Sequence, residues 1–508
     1  MADWTKGRSE AQAITEPWTR QGGPGGAIVL FDRDGVRESA SGGFAVIEHR
    51  LPFTPDTQNR LASISKHICA ALLLREGVPL EETLGSFIPE LPEALGAVPL
   101  GRALDMTGAL PDMMEVLWQQ GTPFTASLSA SEIFAAACRL PGLNAEPGTE
   151  MAYSNTGWRL AQAILERRTG KGAAQLVEEL MAPTALPIRF VSDESEVVPG
   201  LATGYWHDGQ AWRRGFYGFN FSASGGMAGS AAGLARWAAG LMAGRGSHAE
   251  LLDRLTAPRR LADGRESGYR LGLVASQLGG VKVIGHGGSL TGYRNHMLMA
   301  PEQGVGVVVL TNREEDALWP ALRVLAALTG EALPDDPEST PTGLYAAEEG
   351  PFWAEFTGGA ISVMGGYERL VSDGDGGLRS LPAYLDIALK AEADGSFSGR
   401  IGGAPRRLVP VPADTVLDER LVGRWRDERL GVEITIRPDG TATWPWAGTI
   451  GLKTSLTPLP GGRALADLKH GPWRHRPCLW LQVDGSLRLA SHRSRILHFT
   501  RIDQESRP

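Results

Sequence analysis

The chain has 508 residues, 42% hydrophobic and 21% charged, with a formal net charge of −8. That length implies roughly two to four domains with real cores, and the acidic balance leaves no basic footprint for nucleic acid. The three cysteines, Cys69, Cys138 and Cys478, are odd in number and far apart, which suits reduced thiols better than a disulfide framework. Along the chain, Ala27–Phe31 reads as a strand with Asp34-Gly35 as its turn. Asn59-Arg-Leu-Ala62 reads as a strand end, and Ser63-Ile-Ser-Lys66 opens a helical run through Leu74. Gly157–Thr169 reads as a helix with Thr156 at its N-cap and Gly170 past its end. Ser230 caps another helix running to about Ala243. Four strand-like runs follow, Gly268–Ala275, Val281–Gly285, Tyr293–Met299 and Val305–Leu310, and then a helix through Ala317–Leu328. This mixture predicts an α+β domain over residues 1–333.

Pro334-Asp-Asp-Pro-Glu-Ser-Thr-Pro341 is a linker by composition. After it, short strands and Gly/Asp turns dominate. Thr342-Gly-Leu-Tyr345 and Val422-Gly-Arg-Trp425 begin two similar stretches. The pattern predicts two small antiparallel β-barrels, over 342–415 and 416–508, with Pro410-Val-Pro412 at the break. Met1-Ala-Asp-Trp-Thr-Lys6 lacks the apolar stretch of a signal peptide, and no run of about 18 apolar residues offers a membrane span. A cytoplasmic location without membrane attachment is the expectation.

Three short motifs carry chemistry. Ser63 and Lys66 lie one turn apart on a helix that begins at the serine, so the lysine reaches the hydroxyl. Apolar neighbours from Ile68 to Leu74 bury that helix, where a lysine is costly without a task. Tyr153-Ser-Asn155 precedes the Gly157 helix. A tyrosine beside a lysine cation has a lowered pKa and serves as a general base, and Asn155 offers a donor and an acceptor. His286-Gly287-Gly288 ends one strand-like run and opens the next, and its glycines leave room for a substrate backbone against the strand. Alone, each of the last two motifs reads first as a structural loop or turn. No Cys/His cluster has metal-binding spacing, and neither a metal nor an organic cofactor is expected.

In this order on an α+β domain, Ser-x-x-Lys, Tyr-x-Asn and His-x-Gly resemble the motifs of the penicillin-recognising serine hydrolases. Met106-Thr-Gly-Ala-Leu-Pro-Asp112 and Glu146-Pro-Gly-Thr-Glu-Met-Ala-Tyr-Ser-Asn155 share the likeness. The resemblance implies a β-lactamase/penicillin-binding-protein-like catalytic domain. His-x-Gly in place of Lys-Thr-Gly, with two barrels behind, is similar to the D-stereospecific aminopeptidases. That likeness implies a hydrolase releasing small N-terminal D-amino acids, D-Ala or glycine-like, from peptides, amides and esters, and a homodimer. It assigns Ser63 as nucleophile, Lys66 and Tyr153 to the proton relay, and Asn155 and His286 to positioning. Gly287 and Gly288 line the substrate, and the N–H groups of Ser63 and Ser289 form the oxyanion hole. A loop of the last barrel is expected to close the site, with Asp467 of Arg463-Ala-Leu-Ala-Asp467-Leu-Lys-His-Gly-Pro-Trp473 reading the substrate ammonium; an exposed barrel connection is the competing reading. A D-Ala-D-Ala carboxypeptidase, a β-lactamase, an esterase or a catalytically silent binding protein on this scaffold are the alternatives.

Overall fold

A computed structural model describes residues 2–339, 341–381, 384–447 and 451–502. At its centre an antiparallel sheet runs Val274–Leu278, Val281–Leu290, Tyr293–Ala300, Val305–Thr311, Gly26–Asp32, Gly35–Gly42 from edge to edge. The period-two alternation of a strand sorts its residues onto two faces. Ile28 and Leu30 meet the helices Trp4–Gln21 and Leu318–Thr329. Ala27, Val29 and Phe31 face the other way, into a core with Ser65–Arg75 and Ala231–Ala243. Both sides of the sheet are thus covered, and every residue of Val305–Thr311 is buried.

The expected elements form with local differences. Gly268–Leu273 is a turn, with Gly272 at φ +72°, and its strand starts only at Val274. The strand from Val281 does not stop at the glycines. It continues to Leu290, because Tyr293–Ala300 pairs with it throughout. Thr156 is the first helical residue of Thr156–Thr169 instead of its cap, and Gly170 ends the helix in the left-handed region.

Residues 331–339 carry neither helix nor strand. Behind them stand two closed antiparallel barrels of eight strands, from Thr342–Ala347 to Ala404–Pro410 and from Gly423–Asp427 to Leu497–Arg501. The two similar sequence starts form the first strand of each barrel. Gly343 and Gly423 occupy the same place in them, at φ +114° and +145°. Between Arg463–Ala466 and Cys478–Leu481 the second barrel extrudes a hairpin, Leu468–His470 against Trp473–His475. Both barrels bond to the first domain: Met151 N–H donates to the Gly402 carbonyl at 2.8 Å, and Asp112 N–H to the Arg493 carbonyl at 2.9 Å.

Candidate active site

Ser63 sits in a 3-10 turn, Ala62–Ile64, that runs directly into the helix Ser65–Arg75. Ala62 enters this turn at φ +48°, a strained value for a residue with a Cβ. The turn presents the Ser63 hydroxyl to a cavity of about 420 Å³, lined also by Tyr153, Asn155 and the strand from His286 to Ser289.

Lys66 lies fully buried beneath the serine. Its Nζ is 3.0 Å from Ser63 Oγ, 2.9 Å from Asn155 Oδ1 and 2.8 Å from the Ser224 carbonyl. Desolvation pushes its pKa well below the ordinary lysine value, and the Arg493 cation adds to the effect. A neutral amine has two N–H donors and one lone pair. Asn155 and Ser224 offer only acceptors at those points, which leaves the lone pair for the Ser63 proton. Asp112 fixes the asparagine, taking its side-chain Nδ2 at 2.8 Å and its main-chain N–H at 3.0 Å on one carboxylate oxygen. The Asn155 amide is thereby oriented with Oδ1 towards Lys66.

Burial reverses the sequence expectation for Tyr153. Desolvation raises its pKa to about 12, against the lowering effects of the Ser63 hydrogen bond and of Arg493. Burial thus favours the neutral amine at Lys66 and the protonated phenol at Tyr153, which suits the lysine to a base and the tyrosine to an acid.

His286 is buried, and desolvation pushes its pKa well down. Its Nδ1 donates to the Gly287 carbonyl at 2.6 Å, so Nε2 accepts from the Tyr269 hydroxyl at 2.8 Å. The histidine therefore reaches Tyr153 through Tyr269, whose ring stands edge-on to it at 6.0 Å between centroids. Both glycines line the cavity, and each also permits a close approach where its Cβ would stand. A Cβ on Gly288 would meet the Leu61 carbonyl oxygen at 2.2 Å, and one on Gly287 the Tyr384 hydroxyl at 3.0 Å. The room they leave is filled by the nucleophile's own turn and by the first barrel.

The hairpin of the last barrel does reach the cavity, but through Trp473, which packs edge-on against Phe124 at 5.0 Å. Asp467 stands outside the lining, at the base of the hairpin. Arg474 holds its carboxylate at 2.6 Å and Lys469 at 3.4 Å. The expected ammonium anchor is already paired within its own hairpin. A second loop of that barrel brings in Arg493, whose guanidinium lies 4.9 Å over the Tyr153 ring. Tyr269, Tyr384, Asp112 and Arg493 carry no motif of their own. Only Asp112 lay in a stretch whose likeness to a family pointed to it.

A half-buried Ser63 facing the cavity, a fully buried Lys66 beneath it, an oriented amide and a buried tyrosine on this fold make up a serine hydrolase site of the penicillin-recognising kind. The Beta-lactamase family model matches residues 11–331, and the chain belongs to that family. A D-aminopeptidase of Gluconobacter oxydans is 30% identical over 353 residues, 68% of this chain and 66% of that protein. Among solved structures, the octameric penicillin-binding protein homologue from Pyrococcus abyssi covers 97% of this chain and 99% of its own, at 18% identity and a TM-score of 0.58. The D-amino acid amidase from Ochrobactrum anthropi SV3 covers 64% of this chain and 99% of its own, at 24% identity and a TM-score of 0.53. These two share the fold, the first of them over both barrels as well.

Proposed function

We propose that this protein is a D-aminopeptidase, a serine hydrolase that forms an acyl-enzyme on Ser63 with a D-amino acid and releases it to water. The observation that carries the chemistry is the fully buried Lys66, 3.0 Å from Ser63 Oγ, whose burial favours the neutral amine. Lys66 takes the Ser63 proton as Oγ attacks the scissile carbonyl. Tyr153 returns a proton to the departing nitrogen. The N–H groups of Ser63 and Ser289 face the oxyanion. Water then enters, and the same two side chains reverse roles to free the acid. Selectivity for D-residues and for a free amino terminus rests on the likeness to the Gluconobacter relative. It does not rest on Asp467, whose charge is taken by Arg474. The sequence reading of D-Ala and glycine-like residues stands as the proposed substrate scope, a cytoplasmic location and a homodimer as the proposed setting.

Hydrolysis of the p-nitroanilides of D-Ala, L-Ala and Gly, each with a free and an acetylated N-terminus, tests the reading, with Ser63→Ala as the blank. D-Ala-p-nitroanilide with a free amine should be the best of the six. A preference for the L-series or for acetylated substrates would overturn it.

A further inference from the structure

The strand carrying His286 has an open edge beside the nucleophile. Val274–Leu278 pairs with it only as far as Gly285, whereas Tyr293–Ala300 continues on the other side to Leu290. In a strand, main-chain groups of alternate residues face the same edge. Gly287 N–H donates to the Tyr384 hydroxyl at 2.5 Å, so Gly287 faces the open edge and Ser289 does too. An extended substrate adds to such an edge by main-chain hydrogen bonds. Two rungs are on offer here, and the protein itself occupies one.

Tyr384 is built into that position. Leu385 N–H donates to the buried Glu368 carboxylate at 2.9 Å, and Gly402 N–H to the Leu385 carbonyl at 2.7 Å. Gly402 in turn accepts from Met151, two residues before Tyr153. The Tyr384 ring stands edge-on to Tyr153 at 5.6 Å and lies 5.1 Å from the His286 ring. A Cβ at 287 would stand 3.0 Å from its hydroxyl and as close to His296 Nδ1, so the glycine eases this approach to the strand.

Tyr153 is the group that protonates the departing atom, so the rung beside it belongs to the leaving-group side. We propose that Tyr384 is the specificity determinant of that side. It caps the Gly287 N–H and fills the strand edge. The site therefore takes compact leaving groups, the ammonia of a D-amino acid amide or the small alcohol of an ester, ahead of peptide leaving groups whose chain or carboxylate would claim that N–H. The inference rests on the acyl-enzyme reading above and narrows its substrate class.

The test compares kcat/KM for D-alaninamide and for the dipeptide D-Ala-Gly in the wild type, Tyr384→Ala and Tyr384→Phe. In Tyr384→Ala the dipeptide-to-amide ratio should rise about tenfold or more, the worth of one charge-assisted hydrogen bond. Tyr384→Phe frees the N–H but keeps the ring, and should give a smaller rise. A second arm measures acylation of Ser63 by benzylpenicillin, read by intact mass. Its departing nitrogen carries a carboxylate on the adjacent carbon, so Tyr384→Ala should acylate faster than the wild type. If the wild type hydrolyses neither D-substrate, the D-aminopeptidase reading fails while the penicillin arm still decides the role of Tyr384. If Tyr384→Ala does not fold, Tyr384→Phe carries both arms. A folded variant that gains on neither arm overturns the proposal.

Discussion

Replacing Gly288 with alanine probes how closely the strand and the nucleophile turn are mated. The new Cβ would stand 2.2 Å from the Leu61 carbonyl oxygen and 3.3 Å from Ala62 Cβ. Ordinary contact begins at about 3.5 Å, so strand and turn must part by roughly 1 Å. The obstructing atom is main chain two residues before Ser63 and has no rotamer to escape into. Ser289 N–H lies one residue along the displaced strand, while Ser63 N–H stays with the turn. The two oxyanion donors are pulled apart. Loss of one such donor costs about 10²- to 10³-fold in kcat, and a 1 Å misplacement alone about 10²-fold. Gly288→Ala should therefore lower kcat by about 100-fold or more, at a stability cost of about 1–3 kcal/mol for overpacking. The assay is steady-state hydrolysis of D-Ala-p-nitroanilide beside a melting curve. Gly280→Ala is the control, since its Cβ meets nothing closer than 3.8 Å. A folded Gly288→Ala enzyme with kcat within threefold of the wild type would refute the mating of strand and turn.

Lys66 sets the acid limb of the rate profile. Its pKa is lowered by burial, and the neutral amine is the base, so activity holds above the lowered value and falls as pH drops through it. In the unfolded chain a lysine is protonated below about pH 10.4, so the unfolded state binds more protons and stability gains from rising pH. Lys66→Met should be inactive, and its melting temperature relative to the wild type should climb as pH falls from about 9 to 7; a constant difference would mean that Lys66 is charged in the fold. Asp467→Asn should leave the ratio of free-amine to acetylated turnover unchanged, because Arg474 and Lys469 already hold the carboxylate. A marked loss of that ratio would restore Asp467 to the site.

What the sequence made legible was what lies within one turn or one change of texture. Ser63 and Lys66 are three residues apart, so their meeting needs only a helix. The barrels announced themselves by the loss of helical periodicity after Pro341. The direction of the Tyr153 pKa was not legible, because burial raises it against the Ser63 hydrogen bond and Arg493, and that burial is supplied by segments far away in the chain. Arg493 and Tyr384 approach from opposite barrels. The Gly287-Gly288 pair advertised a close approach, but not by what. A Gly-Gly pair also reads as a strand break, and only the pairing with Asn295 and His296 shows that the strand runs through. Asp467 was misplaced for a related reason. An aspartate in a loop reads as available, whereas the hairpin turns Arg474 back onto it.

Both barrels press on the segment that carries Tyr153 and Asn155, and Glu150 is where the effect of this on the proposed catalysis can be tested. Its buried carboxylate receives Arg406 of the first barrel at 2.8 Å and Arg495 of the second on its other oxygen. Met151, the next residue, bonds to Gly402, and Tyr153 and Asn155 follow in the same short segment. One side chain thus draws both barrels onto the loop that carries the acid and the lysine's amide partner. Glu150→Gln leaves two guanidinium groups facing a neutral amide. Removing one partner of a buried ion pair costs about 3–5 kcal/mol, with the lower end apt here because both arginines keep some solvent contact. The melting temperature should fall, and kcat should fall with it well below the thermal transition, since Tyr153 and Asn155 lose their clamp while Ser63 and Lys66 stay on their own turn and helix. Glu150→Asp, which keeps the charge on a shorter stem, should recover part of both. Limited proteolysis of Glu150→Gln should cut first within residues 331–339, where the barrels join the first domain. Wild-type kcat and melting temperature in Glu150→Gln would show that the barrels hold the loop without this bridge, through their main-chain bonds and apolar contacts.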